Sequence, residues 1–409
     1  MKLKKRLSII LCIAVLAISL IGCTDSTTDT VSNGETTSVE TQGVGVEVAD
    51  TSTIEIDDEM FSSRDMESGY DENNSTIIVL EEDTIKINNE SATVKENTVT
   101  ISQEGTYILR GTLSDGQIVV DAADTDKIQI VLDNVEINNS FSAPIYVKQA
   151  DKVFITLANS SKNSISVDGE FISIDDNNID AAIFSKEDLT INGSGSLTIT
   201  NKYGNGITSK DDLVLTNGIY DINVNGHGLE GKNSIRISNG EFNIVSGKDG
   251  IHSENSDDDT LGFVYIQNGE FNLIAADDGI SSESKVQIDS GNIIIKESTE
   301  GIKGNYVLIN DGSIDIYSTD DGINATNLGS NDAVIEINGG DITIVMASGD
   351  TDAIDSNGDI YVNGGNFDLT CGSSFDADGE IIYNSGTVVV NGETIEDITL
   401  LQMNGKGHK

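Results

Sequence analysis

From Gly206 to Gly386 apolar and polar positions recur about every 22 residues. Each unit reads as a Val-x-Ile strand, an Asn-Gly turn, a Phe/Ile-x-Ile strand and an Asp-Gly-Ile corner. Before the turn stand Ile235/Ile237, Val264/Ile266, Val286/Ile288, Val307/Ile309, Ile335/Ile337 and Ile360/Val362; after it stand Phe242/Ile244, Phe271/Leu273, Ile293/Ile295, Ile314/Ile316, Ile342/Ile344 and Phe367/Leu369. Alternation with a period of two, in Val, Ile and Phe, marks strands with one buried face. Ile251, Ile280, Ile302, Ile323 and Ile354 add one inward residue on a third strand. A unit this short buries its apolar face only by stacking on its neighbours. The pattern therefore predicts an all-β chain folded as a single parallel β-helix, with three strands per coil.

Two glycine columns hold the register. At the corner Gly206, Gly228, Gly250, Gly279, Gly301 and Gly322 are spaced 22, 22, 29, 22 and 21 residues apart. At the first turn Gly218, Gly240, Gly269, Gly291, Gly312, Gly340 and Gly365 keep the same beat. The long steps fall where residues 253–262 and 325–333 are inserted as loops. With 41 Gly, 1 Pro and no helical periodicity after residue 23, turns must rest on Asn-Gly and Asp-Gly.

The first 23 residues belong to targeting. Lys2, Lys4, Lys5 and Arg6 precede an apolar run of 15 from Leu7 to Ile21, and Leu20-Ile21-Gly22-Cys23 matches a bacterial lipobox. The run is short of the roughly 20 residues of a membrane span; an uncleaved anchor and an ordinary secretory signal are the alternatives. Cys23 is then the lipidated first residue of a protein held on the outer face of the cell membrane, and Cys12 leaves with the signal. Cys371, among Leu and Thr, reads as a small core residue. Residues 24–75 are rich in Thr, Ser, Asp, Glu and Gly and predict a disordered acidic tether. Residues 76–400 predict one folded body with a less regular N-terminal cap, and 401–409 a tail.

The formal charge is −46, from 69 acidic and 23 basic residues. Phosphate contacts require Lys and Arg, so nucleic acid and anionic lipid are excluded as partners. The acids also have a place in the repeat. Before the corner glycine stand Asn205, His227, Asp249, Asp278, Glu300 and Asp321, with Asp352 and Asp376 in the equivalent places further on; Asp277 and Asp320 lie one residue earlier. Asp257, Asp258 and Asp259 of the insertion would hang beside the same corner. Equivalent residues stack at about 4.8 Å, where adjacent carboxylates repel by about 3 kcal/mol at an effective dielectric of about 20. Such a ladder needs cations or wide exposure, and many hard oxygens suit Ca²⁺. Asp-Gly is also a good turn dipeptide, yet the first turn uses Asn-Gly at Asn217, Asn239 and Asn268.

Gly105-Thr106-Tyr107-Ile108-Leu109-Arg110-Gly111-Thr112-Leu113-Ser114-Asp115-Gly116-Gln117-Ile118-Val119-Val120-Asp121, Ala143-Pro144-Ile145-Tyr146 and Thr351-Asp352-Ala353-Ile354-Asp355-Ser356-Asn357-Gly358 together resemble the clostridial cell-surface carbohydrate-binding β-helix family. The resemblance covers about residues 76 to 400. It implies a right-handed helix related to pectate lyases, bound calcium, and binding of plant-wall polysaccharide, with Asp355 among the metal residues. Ala353 stands where the family has Gly. Asn205 and His227 stand where it has Asp, and these two rungs are left out of the metal set.

A calcium-dependent β-elimination would need a Lys or Arg base near the metal. Lys303 is the candidate, with Lys248 and His252 also near the corner; the plainer reading makes all three surface residues paired with acids. Without Trp, a stacking platform for sugar would fall to Tyr265 and Tyr361, in the outward column Val214, Arg236, Tyr265, Gln287, Leu308, Glu336, Tyr361. The resulting expectation is a lipid-anchored, extracellular, monomeric Ca²⁺-binding β-helix that binds polysaccharide, acidic or cellulosic, without turnover. The alternatives are a lyase with Lys303 as base and a structural spacer or adhesin.

Overall fold

Coil geometry follows from where the chain can turn. The computed structural model describes residues 56–400, except 58, 59, 83, 330 and 350. In the regular part each coil carries three strands, as in Asp212–Leu215, Ile219–Val224 and Leu229–Gly231, and each strand pairs in parallel with its equivalent one coil on. The three stacks form a first, second and third wall. The third wall is a sheet of 13 strands, and the other two belong to one sheet of 25. They join because Gly105–Leu113 and Lys127–Asn139 run from first wall to second without a break. Gly111 and Asn134, both at positive φ, carry the bends.

The predicted apolar columns are the core. On the third wall Ile207, Leu229, Ile251, Ile280, Ile302, Ile323, Ile354 and Phe375 lie directly over one another, all buried. On the second wall the rings of Tyr220, Phe242 and Phe271 stack face to face with centroids 4.8 Å apart. Burying one such side chain stabilises the fold by roughly 1.5–3 kcal/mol. Antiparallel hairpins close both ends: Thr76–Glu82 with Thr84–Ile87, Ala92–Lys95 with Thr98–Ile101, and Thr387–Val390 with Glu393–Ile395. They shield open sheet edges that would otherwise template aggregation.

The two glycine columns exist for different reasons. At the Asn-Gly turn Gly218, Gly240, Gly269, Gly291 and Gly312 all have φ between 122° and 143°, which L residues rarely adopt. The corner glycines do not. There a Cβ on Gly250, Gly279, Gly301 or Gly322 would come within 2.3–2.6 Å of the backbone carbonyl of the next coil. Asp-Gly at the corner is therefore a close approach between coils, not a left-handed turn.

Residues Ile56 to Ser75, read from sequence as part of a tether, lie as a strap along the outer side of the first wall. Asp65 is 3% exposed. Its carboxylate accepts from Thr190 Oγ1 at 2.5 Å and pairs with Lys152 at 2.8 Å, and its carbonyl accepts from Thr216 and Asn192. Arg64 sits 4.4 Å over the Phe154 ring, Arg236 donates to the carbonyl of Met60, and Glu72 pairs with Arg110 at 2.9 Å. Low average hydrophobicity hid a handful of well-placed polar anchors. The signal, Cys23 and the tether up to residue 55 lie outside the described residues.

Replacing Gly301 by Ala tests the close approach. The new Cβ would lie 2.3 Å from the Gly322 carbonyl, so the variant should lose about 1–3 kcal/mol of stability, measured by chemical denaturation. Gly349→Ala, where the nearest atom is 3.6 Å away, should change little.

Candidate functional site

One side of the third wall carries two neighbouring columns of polar side chains. The corner column is Asn205, His227, Asp249, Asp278, Glu300, Asp321 and Asp352, and it continues to Ser373. Three residues on, the outward position of the strand gives Thr208, Glu230, His252, Ser281, Lys303, Asn324, Asp355 and Asp376. Asp376 thus stacks on Asp355 and not, as the sequence reading placed it, in the corner column above Asp352; Ser373 holds that place, followed by Ser374 where most coils have Gly.

Four of the corner side chains first serve the backbone. Asn205 Oδ1 accepts from the N–H of His227 at 2.9 Å, Asp249 Oδ1 from Asp278 at 3.0 Å, Asp278 Oδ1 from Glu300 at 3.3 Å, and Asp321 Oδ1 from Asp352 at 3.3 Å. A short side chain ending in an acceptor satisfies this, which accounts for Asp and Asn at the corner without any metal. The second carboxylate oxygen is left over, and it makes the site. Asp278 Oδ2 faces Lys303 Nζ at 3.6 Å, and Asp321 Oδ2 accepts from Asn324 Nδ2 at 3.1 Å.

Oxygens converge in three places along this face: Asp249, Asp277 and Asp278; Glu300, Asp320 and Asp321; and Asp352, Asp355 and Asp376, each set with ligand atoms within 4.8 Å of one another. Asn324 donates to Glu300 at 3.0 Å, while its own Oδ1 is buried without a hydrogen bond. Burial, then the charge of Glu300, pushes Asp278 up to about 7. Burial and neighbouring carboxylates, Asp355 above all, push Asp321 up to about 7; burial, then Asp352 and Asp376, do the same to Asp355. These carboxylates are starved of positive charge. An all-oxygen set of this kind fits a hard cation such as Ca²⁺; Glu300, Asp320 and Asp321 are one such grouping, with Asn324 beside it. The insertion acids are elsewhere, since residues 253–262 leave from the other end of the third-wall strand, where Asp257 pairs with Lys232 at 2.8 Å.

Lys303 reaches into the face from the strand column, 2.9 Å from Glu300 Oε2 and 3.6 Å from Asp278 Oδ2. Burial opposes its charge, but Glu300 and Asp278 outweigh that and raise its pKa. His252 is not a solvent-facing residue. Its ring stacks on His227 with centroids 4.2 Å apart, and the Nδ1 atoms of both point at Asp249 Oδ2, at 2.6 Å for His252 and 3.4 Å for His227. Burial penalises the Asp249 charge, yet the two imidazoles hold its pKa well below the usual carboxylate range.

Beside the histidines opens a cleft of about 450 Å³, lined by Tyr203, Lys202, Lys248, Asp180, Asn225 and Glu254. Tyr203 is 46% exposed. It follows Asn201 in an irregular turn where no repeat position signals it. The predicted platforms fare differently. Tyr265 is 4% exposed because Phe61 of the strap packs on it, ring centroids 5.8 Å apart, and its hydroxyl donates to Asp289 at 2.6 Å. Tyr361 is half-buried and bonded to Asp359. Cys371 packs against the core, and burial pushes its thiol up to about 11, away from nucleophile chemistry.

A family profile described as "Carbohydrate-binding domain-containing protein" matches residues 95–351. A carbohydrate-binding domain-containing protein of Acetivibrio thermocellus is 41% identical over 145 residues, 34% of this chain and 50% of that protein. The chain thus spans about half the length of that curated relative. Among solved structures, the polysaccharide lyase-like protein from C. thermocellum, as a gadolinium derivative, aligns at a TM-score of 0.41 and 27% identity, covering 76% of this chain and 99% of that one.

The raised carboxylates set a pH dependence for metal-free protein. The folded state keeps protons on Asp278, Asp321 and Asp355 up to about pH 7, whereas the unfolded chain releases them near 4. Their stabilisation is full below pH 4 and is lost as pH rises through 7, by up to about 1.4 kcal/mol per pH unit for each proton. In chelator the melting temperature should fall between pH 5 and 8, and Asp321→Asn should flatten that fall. A midpoint that climbs over this window would contradict the assignment.

Proposed function

Because the chain belongs to the family of carbohydrate-binding domain-containing proteins, we propose that it captures polysaccharide at the cell surface through its oxygen-lined corner and does not turn the polymer over. The observation that carries this reading is the convergence of carboxylates along the corner, at Asp278, Glu300, Asp321 and Asp352, with Lys303 as its close cation. Ca²⁺ bound there would supply the positive charge that lets an acidic polymer approach a chain of charge −46. Glu300, Asp320, Asp321 and Asn324 would hold it, with Asp278 and the Asp352, Asp355, Asp376 set on either side. Polygalacturonate, whose own carboxylates recur along its length, is the ligand best matched to such a row. Tyr203 and the cleft beside it offer an apolar face to a sugar ring.

Lys303 counts against a lyase. A general base works best with a pKa near the working pH, and this ammonium is held charged between two carboxylates. The role of a pure spacer or adhesin would leave the carboxylate columns without a task beyond their backbone hydrogen bonds. Export and anchoring follow the lipobox, with Cys23 as the lipidated residue and the strap beginning some thirty residues later.

Affinity electrophoresis in polygalacturonate gels tests the ligand. Mobility should be retarded with Ca²⁺ and restored by chelator, and the Asp321→Asn/Asp355→Asn pair should lose most of the retardation. Equal retardation in chelator, or retardation by cellulose alone, would overturn the bridge; unsaturated product that disappears in Lys303→Ala would replace the binder with a lyase. The anchor is tested separately. Cys23→Ala should move the protein from the membrane fraction to the medium or leave it unprocessed, and an unchanged fraction and mature mass would refute lipidation.

A further inference from the structure

Asp249 stands apart from the rest of the carboxylate column. Its Oδ1 is committed to the backbone of the next coil, like its neighbours, but its Oδ2 meets two imidazole nitrogens where Asp278 meets Lys303. Three donor atoms of mixed kind, His227 Nδ1, His252 Nδ1 and Asp249 Oδ2, lie within 4.8 Å of one another on two adjacent coils. Both Nδ1 atoms are sealed from solvent, with Asp249 Oδ2 as their shared polar neighbour. The other nitrogen of His252, Nε2, faces Glu254 Oε2 at 3.5 Å. A carboxylate behind the far nitrogen is the usual outer support of a metal-bound imidazole, fixing which nitrogen carries the proton and which the lone pair.

We propose that His227, Asp249 and His252 form a site for a divalent transition ion of the Zn²⁺ type, separate from the hard-cation face, with its remaining coordination position open to the Tyr203 cleft. Two imidazoles and one carboxylate match the three protein ligands of an open zinc site. Imidazole nitrogen suits Zn²⁺, Ni²⁺ or Cu²⁺, whereas Ca²⁺ takes oxygen. Ligands at 2.0–2.2 Å from a tetrahedral ion lie about 3.4 Å apart. His227 Nδ1 already stands at that distance from Asp249 Oδ2, and His252 Nδ1, at 2.6 Å, has to withdraw by less than about 1 Å. The cleft, lined by His227 and His252 themselves, leaves room for water or a sugar oxygen as the fourth ligand. This site stands whether or not the calcium reading does, because its donors and its metal class differ.

The repeat supplies its own conservative variants. His227→Asn copies Asn205 one coil earlier, whose side chain accepts from the backbone N–H of the next coil; His252→Ser copies Ser281 one coil later. Zn²⁺ titrated calorimetrically into the full chain, in millimolar Ca²⁺, should bind with one ion at this site. Each variant should weaken that binding at least about tenfold, while His408→Ala, in the tail, should not. Co²⁺ in place of Zn²⁺ should give the visible absorption of a nitrogen-ligated ion in the unaltered chain and lose it in both variants. Displacement of Zn²⁺ by Ca²⁺, affinity unchanged in both variants, or no binding at all would each overturn the site. Melting of the metal-free variants within a few degrees of the parent shows that the loss is of a ligand and not of the fold.

Discussion

Parallel pairing at a fixed inter-coil spacing governs this molecule. Once a residue occupies a column, its nearest neighbours above and below are its own equivalents, about 4.8 Å away. Only side chains that tolerate copies of themselves can fill a column. Isoleucine does so by packing, and the column through Ile251 and Ile302 falls as a straight stack through the core. Asparagine does so by being donor and acceptor at once: Asn338 donates to Asn310, Asn363 to Asn338 and Asn384 to Asn363, at 2.7–2.9 Å.

Aspartate cannot. A carboxylate only accepts, so a column of them neither pairs with itself nor escapes its own repulsion. The two corners of the coil therefore diverge in chemistry although both reverse the chain. The Asn corner is largely self-satisfied, and its acids Asp289 and Asp311 accept from Asn310 and from the Gly312 N–H. The Asp corner borrows backbone N–H groups for one oxygen of Asp249, Asp278 and Asp321 and leaves the other among burial and like charge, a condition that invites cations. Lys303 answers it in one coil and His252 in another.

Most of the fold was legible in the sequence because a repeat places residue i over residue i+22, and the predicted columns, Val214 to Tyr361 included, are the ones the structure stacks. What the period could not reveal was anything that crosses it. Asp65 meets Thr190 from 125 positions away, and without that strap Tyr265 looks like an exposed platform. Asp376 lost its glycine landmark and slipped three residues in the reading. The pairing of His227 with His252 needed two columns to be compared at once, since neither lies in the other's stack. Tyr203 sits in a turn outside the repeat and gave no signal beyond being aromatic.

The strap also divides the coils unequally. It is bound from the rung of Arg110 to that of Tyr265, so opening any coil in this stretch means detaching a segment anchored on several others. Among the described residues the strap does not reach the coils after Tyr265, and these carry Asp278, Glu300, Asp321 and Asp355. Local opening is set by such differences in anchorage. Amide exchange should then proceed as two cooperative zones along one continuous helix, a slow zone beneath the strap and a faster one beyond it, with the oxygen face riding on the part of the molecule that breathes.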